Sequence, residues 1–382
     1  MTNGWPMVPL SAVAKPISRP IPVRAGEKYR TLGVKWWGEG AYERNTIDGA
    51  DTAAKTLSLI KKDDLIINKI WVRHGSVAVV HDDIEGCAGS GEFPTFELDR
   101  AKVLPRWLHW ISKTRAFWSE CDALSRGTSG KNRIRPELFL TIAIPLPPPP
   151  EQRRIVAKID ELAAKIEEAR GLQHQISTRC DALCRAVLAD ATVTANTPMR
   201  DLVALRETDV EVSASEVYQF AGVYCFGRGV FVGEKRSGLD FAYKRLTRLR
   251  TEDFVYPKLM AWEGALATVP PECDGLVVSP EFPVFAIDRS RVLPDVLDVY
   301  FRTPQVWPLL SGASTGTNVR RRRLNPRDFL NFSFPLPPMR VQERMRDVKA
   351  KVDRLKDLQA KTAAELDALL PSILDKAFKG EL

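Results

Sequence analysis

The stretch Ile144-Pro145-Leu146-Pro147-Pro148-Pro149-Pro150-Glu151-Gln152-Arg153-Arg154-Ile155-Val156 joins two kinds of chain. Its prolines lock φ and bias the residues before them toward extended backbone. After them, apolar or small residues recur at Ile155, Ile159, Leu162, Ile166, Ala169, Ile176, Cys180, Leu183 and Val187, in alternating steps of four and three, with Gln173 in the one gap. That is the seam of a coiled coil. Charged residues such as Glu161, Lys165, Glu167, Glu168 and Arg170 fill the intervening positions. The pattern predicts a helix opening at Glu151, with the proline run kept outside it. At about 1.5 Å per residue it would be roughly 50 Å long, more than one small domain needs, so it reads as a spacer.

The same arrangement returns near the end. Phe334-Pro335-Leu336-Pro337-Pro338 precedes a second stripe of Val348, Val352, Leu355, Gln359, Thr362, Leu366, Leu369 and Ile373. A repeat search then succeeds at an offset of 189 residues. Gly33-Val34 aligns with Gly222-Val223, Gly38 and Gly40 with Gly227 and Gly229, and Asp64 and Lys69 with Asp253 and Lys258. Phe93-Pro94 aligns with Phe282-Pro283, Val103-Leu104-Pro105 with Val292-Leu293-Pro294, Trp118 with Trp307, and Gly127-Thr128 with Gly316-Thr317. One insertion before Phe329 moves the offset to 190 for the second proline run. The chain is therefore globule, helix, globule, helix, and most residues of the two globules differ.

Length and composition agree. A chain of 382 residues, 44 % of them hydrophobic, can build ordinary cores in two or three domains. No apolar run reaches membrane length, and the N-terminus lacks a signal-peptide pattern. Cys87, Cys121, Cys180, Cys184, Cys225 and Cys273 show no paired spacing, which suits the reducing cytoplasm. The net charge of +8 points weakly to a polyanionic partner.

Within the globules, Leu65–Trp71, Val77–Val80 and Phe93–Leu98 read as strands, mirrored by Phe254–Leu259 and Phe282–Ile287. Pro105–Trp118 and Pro294–Val306 each read as one helix. Each globule is thus a small α+β domain. Residues 15–35 carry Lys15, Arg19, Arg24, Lys28, Arg30 and Lys35 against Glu27 alone; this is either a solubilising loop or a nucleic-acid contact. Trp36 and Trp37 have the surfaces to stack on bases, although burial is the commoner fate of tryptophan. The Gly-x-Gly at 38–40 lacks the strand and helix of a dinucleotide loop and reads as a tight turn.

Each globule closes on its most basic stretch. Arg126, Lys131, Arg133 and Arg135 surround Gly127-Thr128-Ser129-Gly130, and Thr317-Asn318 leads into Arg320, Arg321, Arg322 and Arg323. Hydroxyls and glycines beside arginines suit phosphate contacts, and an arginine can fork onto a guanine edge. A solvated charge run is the plainer alternative, but recurrence at one place in both repeats favours DNA. The candidate DNA-binding residues are Lys69, Arg126, Thr128, Lys131, Arg133 and Arg135 in the first globule. In the second they are Lys258, Thr317, Asn318, Arg320, Arg321, Arg322 and Arg323.

Catalytic motifs are not found. His74, His81, His109 and His174 are scattered, with no HExxH, no Cys/His cluster and no Gly-x-Ser-x-Gly elbow. No Asn/Asp-Pro-Pro-aromatic methyltransferase motif is present. Thr128-Ser129-Gly130-Lys131 lacks the first glycine of a phosphate loop and the Ser/Thr that would hold Mg²⁺. Glu92, Asp274 and Glu281 are conceivable metal ligands, but no lysine near them in sequence completes a nuclease pattern.

The Ile-Pro-Leu-Pro-Pro run with Glu151-Gln152-Arg153-Arg154-Ile155-Val156, the duplicated plan, and the ending Leu374-x-x-Ala377-Phe378-Lys379-Gly380-Glu381-Leu382 together resemble the specificity subunits of type I restriction-modification systems. The second junction departs slightly, with Val341-Gln342-Glu343 in place of Glu151-Gln152-Arg153. The resemblance implies two similar mixed α/β target-recognition domains, residues 1–148 and 196–338, and two spacer helices, residues 149–195 and 339–382. The helices would pack as an antiparallel coiled coil in a pseudo-twofold layout. It further implies a non-catalytic chain that reads a bipartite, asymmetric double-stranded DNA target. Two modification subunits would dock on it, bringing S-adenosylmethionine, and two motor-nuclease subunits would use ATP and Mg²⁺; the chain itself would bind no cofactor and no membrane. The rival reading is a stand-alone DNA nuclease or methyltransferase with an unrecognised site, and a third is a coiled-coil scaffold that never touches DNA.

Overall fold

The computed structural model describes residues 5–125, 132–189, 195–313 and 323–382. It divides into two compact units, residues 1–171 with 362–382, and residues 172–361. Each unit holds one globule and one half of each long helix.

In the first unit, the strands Met7–Pro9 and Ala143–Pro145 pair antiparallel and bring the two ends of the globule together. An antiparallel sheet follows in the order Ala14–Ile17, Thr95–Leu98, Leu65–Ile67, Val77–Val79. A five-stranded sheet runs Pro20–Pro22, Thr56–Leu59, Ala88–Gly89, Lys28–Val34, Ala41–Asp48. Leu32, Ile60, Ile66, Val80 and Cys87 fill the core shared by the sheets. A larger core collects Leu10, Phe96, Trp107 and Phe139 with Ile155 and Ile159 of one long helix and Leu374 and Ala377 of the other.

The second unit has the same strand order in each of its three sheets. Ala195–Pro198 pairs with Ser333–Leu336. The antiparallel sheet runs Val203–Leu205, Val284–Ile287, Phe254–Val255, Ala267–Thr268, and the five-stranded one Val210–Glu211, Arg245–Arg248, Val277–Val278, Val217–Tyr224, Gly229–Ser237. The duplication reaches single dihedrals: positive φ falls on Trp37 and Phe226, on Asp63 and Glu252, and on Gly75 and Gly264. At the last pair glycine is required, because a Cβ would run into the indole of Trp118 or Trp307.

The long helices are Pro149–Ala189 and Met339–Phe378. Within each unit their halves run antiparallel. In the first, Arg170 bridges Asp367 at 2.7 Å and Arg154 donates to the carbonyl of Leu382. In the second, Lys356 bridges Asp181 at 2.6 Å, and Cys180 and Cys184 pack in one core with Met345 and Val352.

Several local expectations are corrected. The first long helix opens at Pro149, so two prolines stand in its first turn, where the missing N–H has no partner to lose. Pro371 lies inside the second helix; its neighbours Leu370, Ile373 and Leu374 pack against the first core, and that packing outweighs one lost hydrogen bond. The seam is not continuous. Ile155 and Ile159 serve the globule's core, while Ile176 and Leu183 are exposed and Cys184 is buried in place of Leu183. The strands starting at Leu65 and Phe254 stop at Ile67 and Val255. Pro105–Trp118 is two helices, Pro105–Ile111 and Arg115–Ala123, because Thr114 turns its hydroxyl to cap the second. In the second globule Pro304 ends the corresponding helix, and Trp307 begins the next. The basic stretch at 15–35 is largely strand, and much of its charge is internally paired: Arg19 with buried Asp64, Arg30 with Glu43, Arg24 with Glu27.

Candidate nucleic-acid interface

Five of the candidate DNA-binding residues are described, and four of them are drawn into two equivalent clusters. In the first globule the chain leaves the strand at Ile67 and turns at Asn68, whose side chain accepts from the Ile70 N–H at 3.0 Å. This presents Lys69. Its N–H donates to the Glu92 carbonyl (3.0 Å), and its own carbonyl accepts from Ile134 (3.1 Å). The Glu92 carboxylate lies 3.2 Å from the Arg133 guanidinium. In the second globule Lys258 donates through its N–H to the Glu281 carbonyl (2.9 Å) and accepts from Leu324 (2.9 Å), and Arg323 bridges Glu281 at 2.9 Å. The Lys258 ammonium donates to the Pro280 carbonyl at 2.8 Å and stands 3.9 Å from Glu281. Folding thus brings a lysine beside Glu281 that is distant from it in sequence. Arg135 is exposed and precedes the short helix Pro136–Phe139. Arg126, Thr128, Lys131, Thr317, Asn318, Arg320, Arg321 and Arg322 lie outside the described residues.

Each cluster sets an exposed arginine against one glutamate whose carbonyl is bonded to a lysine N–H, and in the second the lysine ammonium also approaches the carboxylate. Pairs this exposed contribute little to stability, so their effect is to hold cations in place at a surface rather than to hold the fold. The glutamates are the residues the sequence reading missed in this role. Only the register of the repeat, Glu92 with Glu281, marked them as a pair. Among the described residues no group of three or more His, Cys, Asp and Glu is placed to hold a metal ion.

A second exposed feature is the turn between the strands Lys28–Val34 and Ala41–Asp48. Trp36 and Trp37 are 44 % and 54 % exposed, against the expectation of burial. They sit at the tip of the hairpin, where backbone bonds from Trp37 to His74 (2.7 Å) and from Gly38 to Gly75 (2.9 Å) fix the turn. Trp36 leans on Trp71 with ring centroids 4.9 Å apart, and Trp37 on Trp118 at 5.6 Å. The second globule keeps the turn, with Phe226 bonded to Glu263 and Gly227 to Gly264, but carries Cys225 and Phe226 at the tip. Arg228 lies over the ring of Tyr224 beside it, 4.6 Å from the centroid. The backbone is common to both tips; the side chains they offer are not.

A fold used twice, with matching Glu–Arg pairs and differing tips, defines a duplicated protein. Comparison with known proteins supplies the family. Residues 2–178 match the family described as the type I restriction modification DNA specificity domain. The chain is 22 % identical over 311 residues to the StySPI type I restriction enzyme specificity subunit of Salmonella potsdam, a match covering 73 % of this chain and 66 % of that protein. Among solved structures it resembles the HsdS subunit of Thermoanaerobacter tengcongensis (21 % identity, TM-score 0.52, covering 100 % of this chain and 98 % of that one). It also resembles a chain from a structure addressing complex assembly and conformational transition of the type I R-M system (20 % identity, TM-score 0.67, covering 100 % and 99 %). The resemblance read from the sequence, and the fold class with it, are thereby borne out.

Proposed function

We propose that this chain is the DNA-reading subunit of a type I restriction-modification complex, each globule recognising one half of a bipartite, asymmetric target. The observation that carries this is the two equivalent Glu–Arg pairs, Glu92–Arg133 and Glu281–Arg323, each with a lysine, Lys69 or Lys258, bonded through its N–H to the glutamate carbonyl, on two copies of one topology. Chemistry kept in both copies suits the phosphate backbone, which is alike at every site; chemistry that differs suits bases. The roles divide by segment: residues 1–148 and 196–338 read, and residues 149–195 and 339–382 set the spacing. Two weak readings held at a fixed separation become one strong one through effective concentration.

Exposed Leu172, Ile176, Leu183 and Leu355 leave apolar side chains on the long helices uncovered. Modification subunits would dock there, carrying S-adenosylmethionine, with ATP- and Mg²⁺-dependent motor-nuclease subunits beyond them. The chain itself would be non-catalytic and bind no cofactor. No helix among the described residues is long and apolar enough to cross a membrane, and the cytoplasm, where the DNA is, is the proposed location.

Methylome sequencing of a host carrying this chain with a cognate modification subunit tests the whole reading. One split motif is expected; scattered or absent methylation contradicts it. Purified chain that cleaves or methylates DNA unaided would favour the enzyme alternative. Arg133→Ala and Arg323→Ala should each lower the slope of log affinity against log salt by about one. An unchanged slope removes that arginine from the interface. Four residues inserted in the central helix add about 6 Å, so the gap between half-sites should grow by roughly one or two base pairs at ~3.4 Å each.

A further inference from the structure

We infer that Gln152 and Gln342 are positioning residues that lock the angle between each globule and the long helix leaving it, and so set the separation at which two half-sites are accepted. The inference rests on the reading proposed above for its consequence, but not for its geometry. Both glutamines sit in the first turn of a long helix and are 0 % and 1 % exposed. A buried amide is costly unless its hydrogen bonds are made, and here each side chain makes three. Gln152 Oε1 accepts from the Leu104 N–H (2.9 Å), and its Nε2 donates to the carbonyls of Lys102 (2.8 Å) and Pro147 (2.8 Å). Gln342 Oε1 accepts from Leu293 (2.8 Å), and its Nε2 donates to Arg291 (3.1 Å) and Pro337 (2.9 Å).

Each amide therefore ties three segments at once: the loop entering the helix that begins at Pro105 or Pro294, the proline run, and the long helix. All the partners are main-chain atoms. The brace consequently does not depend on which side chains a globule carries, and a domain that varies with its target can keep it. An apolar residue would fill the same space without fixing direction, because dispersion contacts tolerate sliding that directional hydrogen bonds do not. The other contacts across the two junctions have diverged. Asp160 faces Arg106 and Trp110 in the first, whereas Lys349 faces Asp298 in the second. Among the side-chain polar contacts of the described residues, the glutamine is common to both.

The test uses the full chain assembled with its modification subunits. Duplexes carry both half-sites at the natural gap and at gaps one base pair shorter and longer. Wild type should prefer the natural gap by tenfold or more. Gln152→Met and Gln342→Met should each shrink that preference several-fold while the half-site sequences recognised stay the same. An equal loss of affinity at every gap would mean a merely structural role and overturn the inference. A wild-type complex that ignores the gap would instead overturn the bipartite reading, and this inference with it. If either variant fails to fold, hydrogen exchange on the wild-type chain decides. The Leu104 and Leu293 amides should exchange as slowly as those of the core strand Thr95–Leu98. Exchange at loop rates would show that the brace does not hold in solution and would overturn the inference.

Discussion

His109 and Asp298 occupy the same place in the two globules, on the helix that packs against a long helix, and their surroundings are opposite in character. His109 is buried beside Trp110, its ring 5.6 Å from that of His81. Burial, then the nearby basic groups Lys113, Arg106 and His81, push its pKa down to about 3, so it is neutral in the fold at neutral pH. Beside it Asp160 of the long helix accepts from Trp110 Nε1 (2.8 Å) and Arg106 Nε (2.9 Å). In the second globule the carboxylate belongs to the globule and the cation to the helix. Asp298 is buried, 3.2 Å from Arg302 and 3.8 Å from Lys349, and Lys349 stands where the first helix has Ile159. Burial works against the Lys349 ammonium, but Asp298 and the Asp353 hydrogen bond outweigh it and hold its pKa above the ordinary lysine value. The comparison teaches that one junction can be pinned with either polarity. What matters is that a carboxylate on one element meets a cation on the other, not which element supplies the charge.

The largest effect should come from breaking the second pin. Asp298→Ala leaves Lys349 and Arg302 facing an empty site, and the cost should be about 3 kcal/mol, at the low end for buried pairs because Asp353 still answers Lys349. Hydrogen exchange across Pro294–Phe301 should speed up while Pro105–Ile111 is unchanged; a rise in both would dissolve the contrast between the junctions. Acid should act on the first unit instead. Above pH 6.5 His109 is neutral in both folded and unfolded chains, and stability is flat. Below it the unfolded chain takes up a proton that the fold refuses, so stability falls continuously toward about pH 3. By pH 5 the loss should be about 2 kcal/mol at ~1.4 kcal/mol per pH unit. His109→Phe should abolish this slope between pH 6.5 and 5, as followed by hydrogen exchange in the first unit; an intact slope would mean that another group titrates. The smallest change should follow Asp160→Asn, which keeps an acceptor for Trp110 but loses the charge facing Arg106. About 1 kcal/mol is expected in denaturant unfolding of the first unit. A loss as large as that of Asp298→Ala would make the two pins equivalent.

Much of this was legible beforehand, for identifiable reasons. The repeat was visible because glycines at fixed φ and prolines at turns are set by backbone geometry, which both copies share. The long helices were visible from period. Their partners were not: Ile155 and Ile159 fit a helix seam as well as they fit a globule's core, and one stripe served both. Trp36 and Trp37 were expected to be buried because of their size, yet a hairpin tip leaves them half in solvent. The Thr114 cap that breaks the helix at 112–114 is a common signal, weak against the apolar run around it.

The sequence by itself determined that there are two globules and two long helices, in that order and on one plan, because those features rest on local backbone preference and on repetition along the chain. Only the tertiary structure decided which cations gather around Glu92 and Glu281, which apolar helix residues stay uncovered, and which amides and carboxylates pin each globule to its helix. Those outcomes depend on groups tens of positions apart meeting within hydrogen-bonding or ion-pairing distance, as Gln152 meets Lys102. No pattern along the chain encodes such a meeting, because the partner's distance in space is set by every residue folded between them.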